Sequence, residues 1–178
     1  MAFGFNLLVI GLIFVFLDIE VGRFDLLPDF VGFLLLALGA NILYPFAAAF
    51  RPARNVAGPL VLLTFLELVS PPILLQVLLP VNLILTVLAV WFLMGGALQF
   101  ATERDRPDLA WHAGTYRRVY VGIGVFMLLF LLFGYIEPEA AGAFVTFFSF
   151  LSWVLLAFIL RLFYILKREF AVEFPTVP

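Results

Sequence analysis

The sequence predicts an all-α fold: a polytopic membrane helical bundle of six transmembrane helices, forming one domain over residues 1–178 with both termini cytoplasmic. Three observations carry this expectation. Hydrophobic residues make up 65% of the chain, charged residues only 12%, and the mean hydropathy is +1.18, far outside soluble globular usage. Apolar runs long enough to cross ~30 Å of hydrocarbon recur along the whole length. Arginine and lysine fall at alternate junctions between those runs, as they do in proteins that weave through a bilayer.

The first run, MAFGFNLLVIGLIFVF, lacks the basic start and small-x-small cleavage site of a secretory signal, so it reads as a retained helix over about residues 2–18. Charged residues of DIEVGRFDLLPDF separate it from the second span, about 28–50, where Asp25 or Asp29 can cap the helix and Pro28 fits its first turn. At 100° per residue, Asp25, Asp29, Gly32, Leu36, Gly39, Ala40 and Leu43 share one side. Two carboxylates then sit above a small-residue groove. This is either an acidic entrance to a narrow path, with Asp18 nearby, or close helix packing beneath ordinary caps.

The third span is expected over about 56–79 and the fourth over about 82–101, joined by a tight LLPVN turn. The segment ATERDRPDLAWHAGTYRR reads as the one long loop, with room for a surface helix. A fifth span over about 117–136 and a sixth over about 140–166 complete the bundle, and the sixth can run on past the bilayer. Arg51, Arg54, Arg104, Arg106, Arg117, Arg118, Arg161, Lys167 and Arg168 fall on one side of this arrangement, expected to be cytoplasmic. Asp18, Glu20, Asp25, Asp29, Glu137 and Glu139 fall on the other, with Arg23.

Glu67 is the most informative single residue, because an ionisable side chain near mid-span needs a partner, a proton or water. Thr64, Ser70 and Pro71 lie on its helical face, and the Pro71–Pro72 pair should kink or break the helix. Such breaks beside an acid build ion or substrate sites in some transporters. Two other readings stay open: Glu67 is polar glue between helices, or the helix ends at SPP and Glu67 lies near the outer interface. In that last case PILLQVLLP becomes a re-entrant or surface segment. Thr146, Ser149 and Ser152 form a thin polar stripe expected to serve interhelical contacts, and Gly95, Gly96, Gly122 and Gly124 are expected at packing positions.

Other chemistries find little material. There is no cysteine and one histidine, His112, so a metal site would rest on carboxylates alone, and no cofactor is implied. A Ser-His-Asp triad fails because the serines lie in spans and His112 in a loop, and no other nucleophile, base and electrophile set is evident. Nucleic-acid and phosphate-loop signatures are missing. Trp111, Arg117 and Arg118 read as interface anchors touching lipid headgroups.

The run FDLLPDFVGFLLLALG resembles a motif of small polytopic membrane proteins of Gram-positive bacteria, in which an acidic loop and a Leu-Pro-Asp-Phe turn open a glycine-containing helix. The resemblance spans about residues 18–40 and implies a bacterial inner-membrane location. Chain size and span number are also similar to substrate-binding subunits of energy-coupling-factor vitamin transporters. The small-residue docking pattern of their first helix is not evident here, where Gly4 and Gly11 stand seven apart. The functional expectation is binding or transport of a small solute or cation, with Glu67 inside and Asp25 and Asp29 at the outer entrance. The competing expectation is an accessory or assembly protein that packs against a membrane partner or a second copy.

Overall fold

The computed structural model describes residues 1–16, 20–21, 24–25, 29–133 and 138–171. Six helices dominate: α1 (Ala2–Phe16), α2 (Asp29–Leu43), α3 (Phe50–Val69), α4 (Pro72–Thr102), α5 (Pro107–Phe133) and α6 (Pro138–Ala171). A minimal antiparallel ladder between α1 and α2 sets Glu20 opposite Asp25 and Val21 opposite Phe24. Each helix packs on the next in chain order and α6 returns to α1, so the helices close into a ring. The fold is all-α, as expected.

Three of these helices are long and apolar enough to cross a membrane: Val77–Thr102 in α4, Pro107–Leu131 in α5 and Thr146–Glu169 in α6. That is fewer than the six spans the apolar runs suggested. Helices α1 and α2 are apolar but have 15 residues each, or ~22 Å of rise against ~30 Å of hydrocarbon.

The α3–α4 junction corrects the expected third and fourth spans. Helix α3 stops at Val69, Ser70 is extended, and Pro71 caps α4, whose first helical position is Pro72. Proline there needs no helical N–H partner, which is why the double proline starts a helix as it ends another. PILLQVLLP therefore forms the first turns of α4, with Leu74, Val77 and Leu79 exposed. LLPVN is not a turn, because Pro80 lies inside α4. The long loop contracts as well. Asp105, at φ 53°, reverses the chain, Arg106 donates its N–H to the Ala101 carbonyl, and α5 begins at Pro107. Trp111, His112, Tyr116, Arg117 and Arg118 are thus helical residues.

Packing is tightest between α1 and α2, through glycines on both. A Cβ on Gly11 would lie 2.8 Å from the Gly32 carbonyl oxygen, and one on Gly39 would lie 2.9 Å from that of Gly4. The face of α2 expected from helical periodicity, Gly32, Leu36, Gly39, Ala40 and Leu43, is the face it buries. Its upper end differs, since Asp25 lies in the ladder and outside α2. In the other helices Gly96 faces Phe50 and Gly124 faces Val87, whereas Gly122 meets open space and is no packing position.

A buried aromatic cluster lies at the basic end of the ring. Phe5 meets Phe100 edge-on at 5.3 Å and Phe163 at 6.1 Å, joining α1, α4 and α6, with Leu8, Met94 and Ala97 fully buried around them. The Gln99 side-chain oxygen accepts the Ala49 N–H at 2.8 Å, fixing α4 to the α2–α3 turn. Arg106 pairs with Asp108 at 2.9 Å and with Glu169, so the start of α5 is clasped to the end of α6.

Candidate functional site

Glu67 lies two residues before the end of α3, not at mid-span, which matches the reading in which the helix ends at SPP. Across the α3–α4 hairpin, the Asn82 side-chain amide donates to Glu67 Oε2 at 2.8 Å. One turn further along α4, the Thr86 hydroxyl donates to Asn82 Oδ1 at 3.1 Å. The second carboxylate oxygen, Oε1, is buried and accepts no hydrogen bond among the described residues. The result is a short polar relay with an acceptor left over.

This relay borders a cleft of about 220 Å³ lined by Val15, Asp29, Phe33, Asn82, Leu83 and Thr86, among others. Asp29, the first residue of α2, thereby faces the same space as the amide that holds Glu67. A second cleft of about 210 Å³ shares Val15, Leu83 and Thr86 with the first, and reaches Tyr120, Ser149 and Ser152. Together they make a partly polar recess, with the first cleft at the start of α2 and the second at Tyr120, midway along α5. Phe16 packs edge-on against Tyr120 at 6.0 Å beside it.

The other expected site residues fall as follows. Thr64 is buried, but its hydroxyl donates to the Leu60 carbonyl at 2.8 Å and not to Glu67. Ser70 lies beyond α3 and donates to the Leu66 carbonyl at 2.6 Å. Both satisfy their own backbone, as hydroxyls in helices commonly do. Ser152 does the same toward Phe148 at 2.9 Å while also lining the recess. Asp18 lies outside the described residues, and of Asp25 only the backbone, in the ladder, is described.

Asn82 and Thr86 were not anticipated. Their signal was present: an amide and a hydroxyl four residues apart in the apolar run VNLILTVL, the spacing that puts two side chains on one helix face. Reading Pro80 and Asn82 as a turn hid it. Tyr120 was missed for a simpler reason, because an aromatic in an apolar helix reads as core.

The three expected headgroup contacts divide. Trp111 and Arg118 are exposed, Arg118 also donating to the Gly114 carbonyl at 3.2 Å. Arg117 instead turns onto α4. Its guanidinium lies 3.4 Å from the Trp91 ring centre, over Gly95, whose missing side chain leaves it room, and its Nε is buried with no hydrogen-bond partner among the described residues. At the basic end the Asp108 carboxylate holds the Arg106 guanidinium above its ordinary value, mainly by hydrogen bonding. Among the described residues no three histidine, aspartate or glutamate side chains gather into a metal-binding group. No family model matches this chain, and no curated protein or solved structure matches it either.

Proposed function

We propose that this chain binds a small cationic solute or a monovalent cation in the recess between Asp29 and Glu67, and moves it across the membrane. One observation carries the reading: Asp29 and Asn82 line the same cleft, and Asn82 holds a carboxylate whose second oxygen lacks a donor. A cleft lined by the Asp29 carboxylate and by the amide that holds the buried Glu67 carboxylate suits a positively charged guest, which would supply the partner Oε1 lacks once it passes Asn82. Its size, about 220 Å³ in the first cleft, suits an ion with some water or a solute of few heavy atoms. A proton is the smallest such guest.

The finer topology belongs to this proposal. Six crossings with both termini cytoplasmic would put the arginine-rich end in the cytoplasm and the recess on the outer face, following the usual bias of basic residues. Helices α1 and α2 would cross as short apolar helices that tie to the ring through their paired glycines. A bacterial inner membrane, as the FDLLPDF motif implies, is the proposed setting. The packed core at the basic end, around Phe5, Phe100 and Phe163, then corresponds to a state open only outward.

The test is flux into liposomes holding the purified full chain, with proton and monovalent-cation uptake measured for the native protein and Glu67→Gln. The substitution keeps the shape and removes the charge. Loss of at least tenfold in flux is expected, while unchanged flux would remove Glu67 from the pathway.

A further inference from the structure

On the arginine-bearing side of the recess, about one helical turn from Tyr120, α5 and α6 form the walls of an open cavity of about 390 Å³. One wall is apolar, from Leu109, Phe158, Leu162 and Ile165, and the rim carries Arg106, His112 and Arg161. Asp108 and Glu169 also line it, but both carboxylates are directed at Arg106. That leaves Arg161 as the rim's uncommitted cation: it is exposed and makes no hydrogen bond or ion pair among the described residues. His112 is steadied by stacking on Tyr116 at 5.7 Å and adds a ring N–H donor to the same rim.

We infer that this cavity holds the phosphate of a membrane phospholipid, with Arg161 as its anchoring cation. Depth and surface together select a lipid over a soluble phosphate. The stretch of α6 long and apolar enough to cross a membrane is Thr146–Glu169, and Lys167, Arg168 and Glu169 mark its headgroup end. Arg161 lies eight residues, or ~12 Å, before Glu169, close enough to that end for its long side chain to reach headgroup level. From there Phe158, Val154, Phe150 and Phe147 follow at helical spacing toward the other leaflet, all exposed. This apolar track begins where the cavity ends, since Phe158 belongs to both. A charged pocket continuous with an exposed apolar track matches a phosphate continuous with an acyl chain. Arginine's planar set of donors suits the phosphate oxygens.

The experiment is native mass spectrometry of the full chain released from detergent micelles after adding phosphatidylglycerol, diacylglycerol with the same acyl chains, or inorganic phosphate. Phosphatidylglycerol should remain bound and diacylglycerol should not. Arg161→Ala should lower its retention about tenfold, as loss of charge-assisted hydrogen bonds does. Phe158→Ala, on the track, should lower it without touching the cation. Arg51→Ala, an exposed arginine of α3, should retain it like the native chain. Equal retention by Arg161→Ala, equal retention of diacylglycerol, or displacement of the lipid by inorganic phosphate would each overturn the inference. Circular dichroism melts of each variant separate lost binding from lost folding.

Discussion

At the residue scale, Glu67 and Asn82 show what one sequence exposes and conceals. A carboxylate in VLLTFLELVS is conspicuous because apolar surroundings penalise its charge. Its partner is not, since the contact spans 15 residues and depends on how the α3–α4 hairpin closes. The bond predicts a definite coupling. Asn82→Leu removes the donor to Oε2 and should destabilise the fold by about 1–2 kcal/mol, the usual cost of stripping a partner from a partly buried carboxylate. Glu67→Leu in the same chain should return part of that loss, because no unpartnered carboxylate remains. Thermal unfolding of the two single variants and the double, in one detergent, checks this. Purely additive losses would show that the two side chains do not act as a pair.

Element boundaries were legible where local chemistry alone decides them, and obscure where tertiary packing does. Pro71–Pro72 marks a real boundary, because two successive residues without N–H groups cannot continue α3. Pro80 marks none: its helix is 31 residues long and packed on both α3 and α5, so the missing bond is tolerated, as it often is among membrane helices. The α2 stripe was readable as a packing face from its periodicity, but its partner was not, because Gly4 and Gly11 on α1 acquire meaning only in antiparallel register with Gly39 and Gly32. That register makes a prediction about contact type. A methyl group on Gly11 would press on backbone, the Gly32 carbonyl oxygen at 2.8 Å, which no rotamer change can relieve. Gly11→Ala should therefore cost about 1–2 kcal/mol despite alanine's better helix propensity. Gly58→Ala, where a Cβ meets nothing within 4 Å, should instead gain up to ~1 kcal/mol. Unfolding followed by tryptophan fluorescence would order the two variants, and a reversed order would mean that the α1–α2 contact is looser than the ring requires.

On the scale of the whole molecule, the ring is asymmetric along its axis: the arginine-bearing end is filled with Phe5, Phe100 and Phe163, and the clefts lie beyond it, from Tyr120 and Thr86 at mid-helix to Asn82 and Asp29. Charge distribution hinted at two unlike ends, yet the location of empty space could not be read from the chain, because cavities arise from side chains of four helices meeting at once. The asymmetry can be measured cleanly, since the chain has no cysteine and any introduced thiol is unique. Thr86→Cys places a thiol in the recess, Ala97→Cys places one in the fully buried core, and Arg51→Cys places one on the exposed surface of the basic end. In sealed vesicles of known sidedness, a charged maleimide that cannot cross the bilayer should label Thr86→Cys from one face only and Arg51→Cys from the other. Ala97→Cys should resist until the protein is unfolded, because a thiol without water contact neither ionises nor meets the reagent. Labelling of Thr86→Cys from both faces would show that the basic end is not sealed. Labelling of Thr86→Cys and Arg51→Cys from the same face would reject a bundle that crosses the bilayer with its two ends on opposite sides.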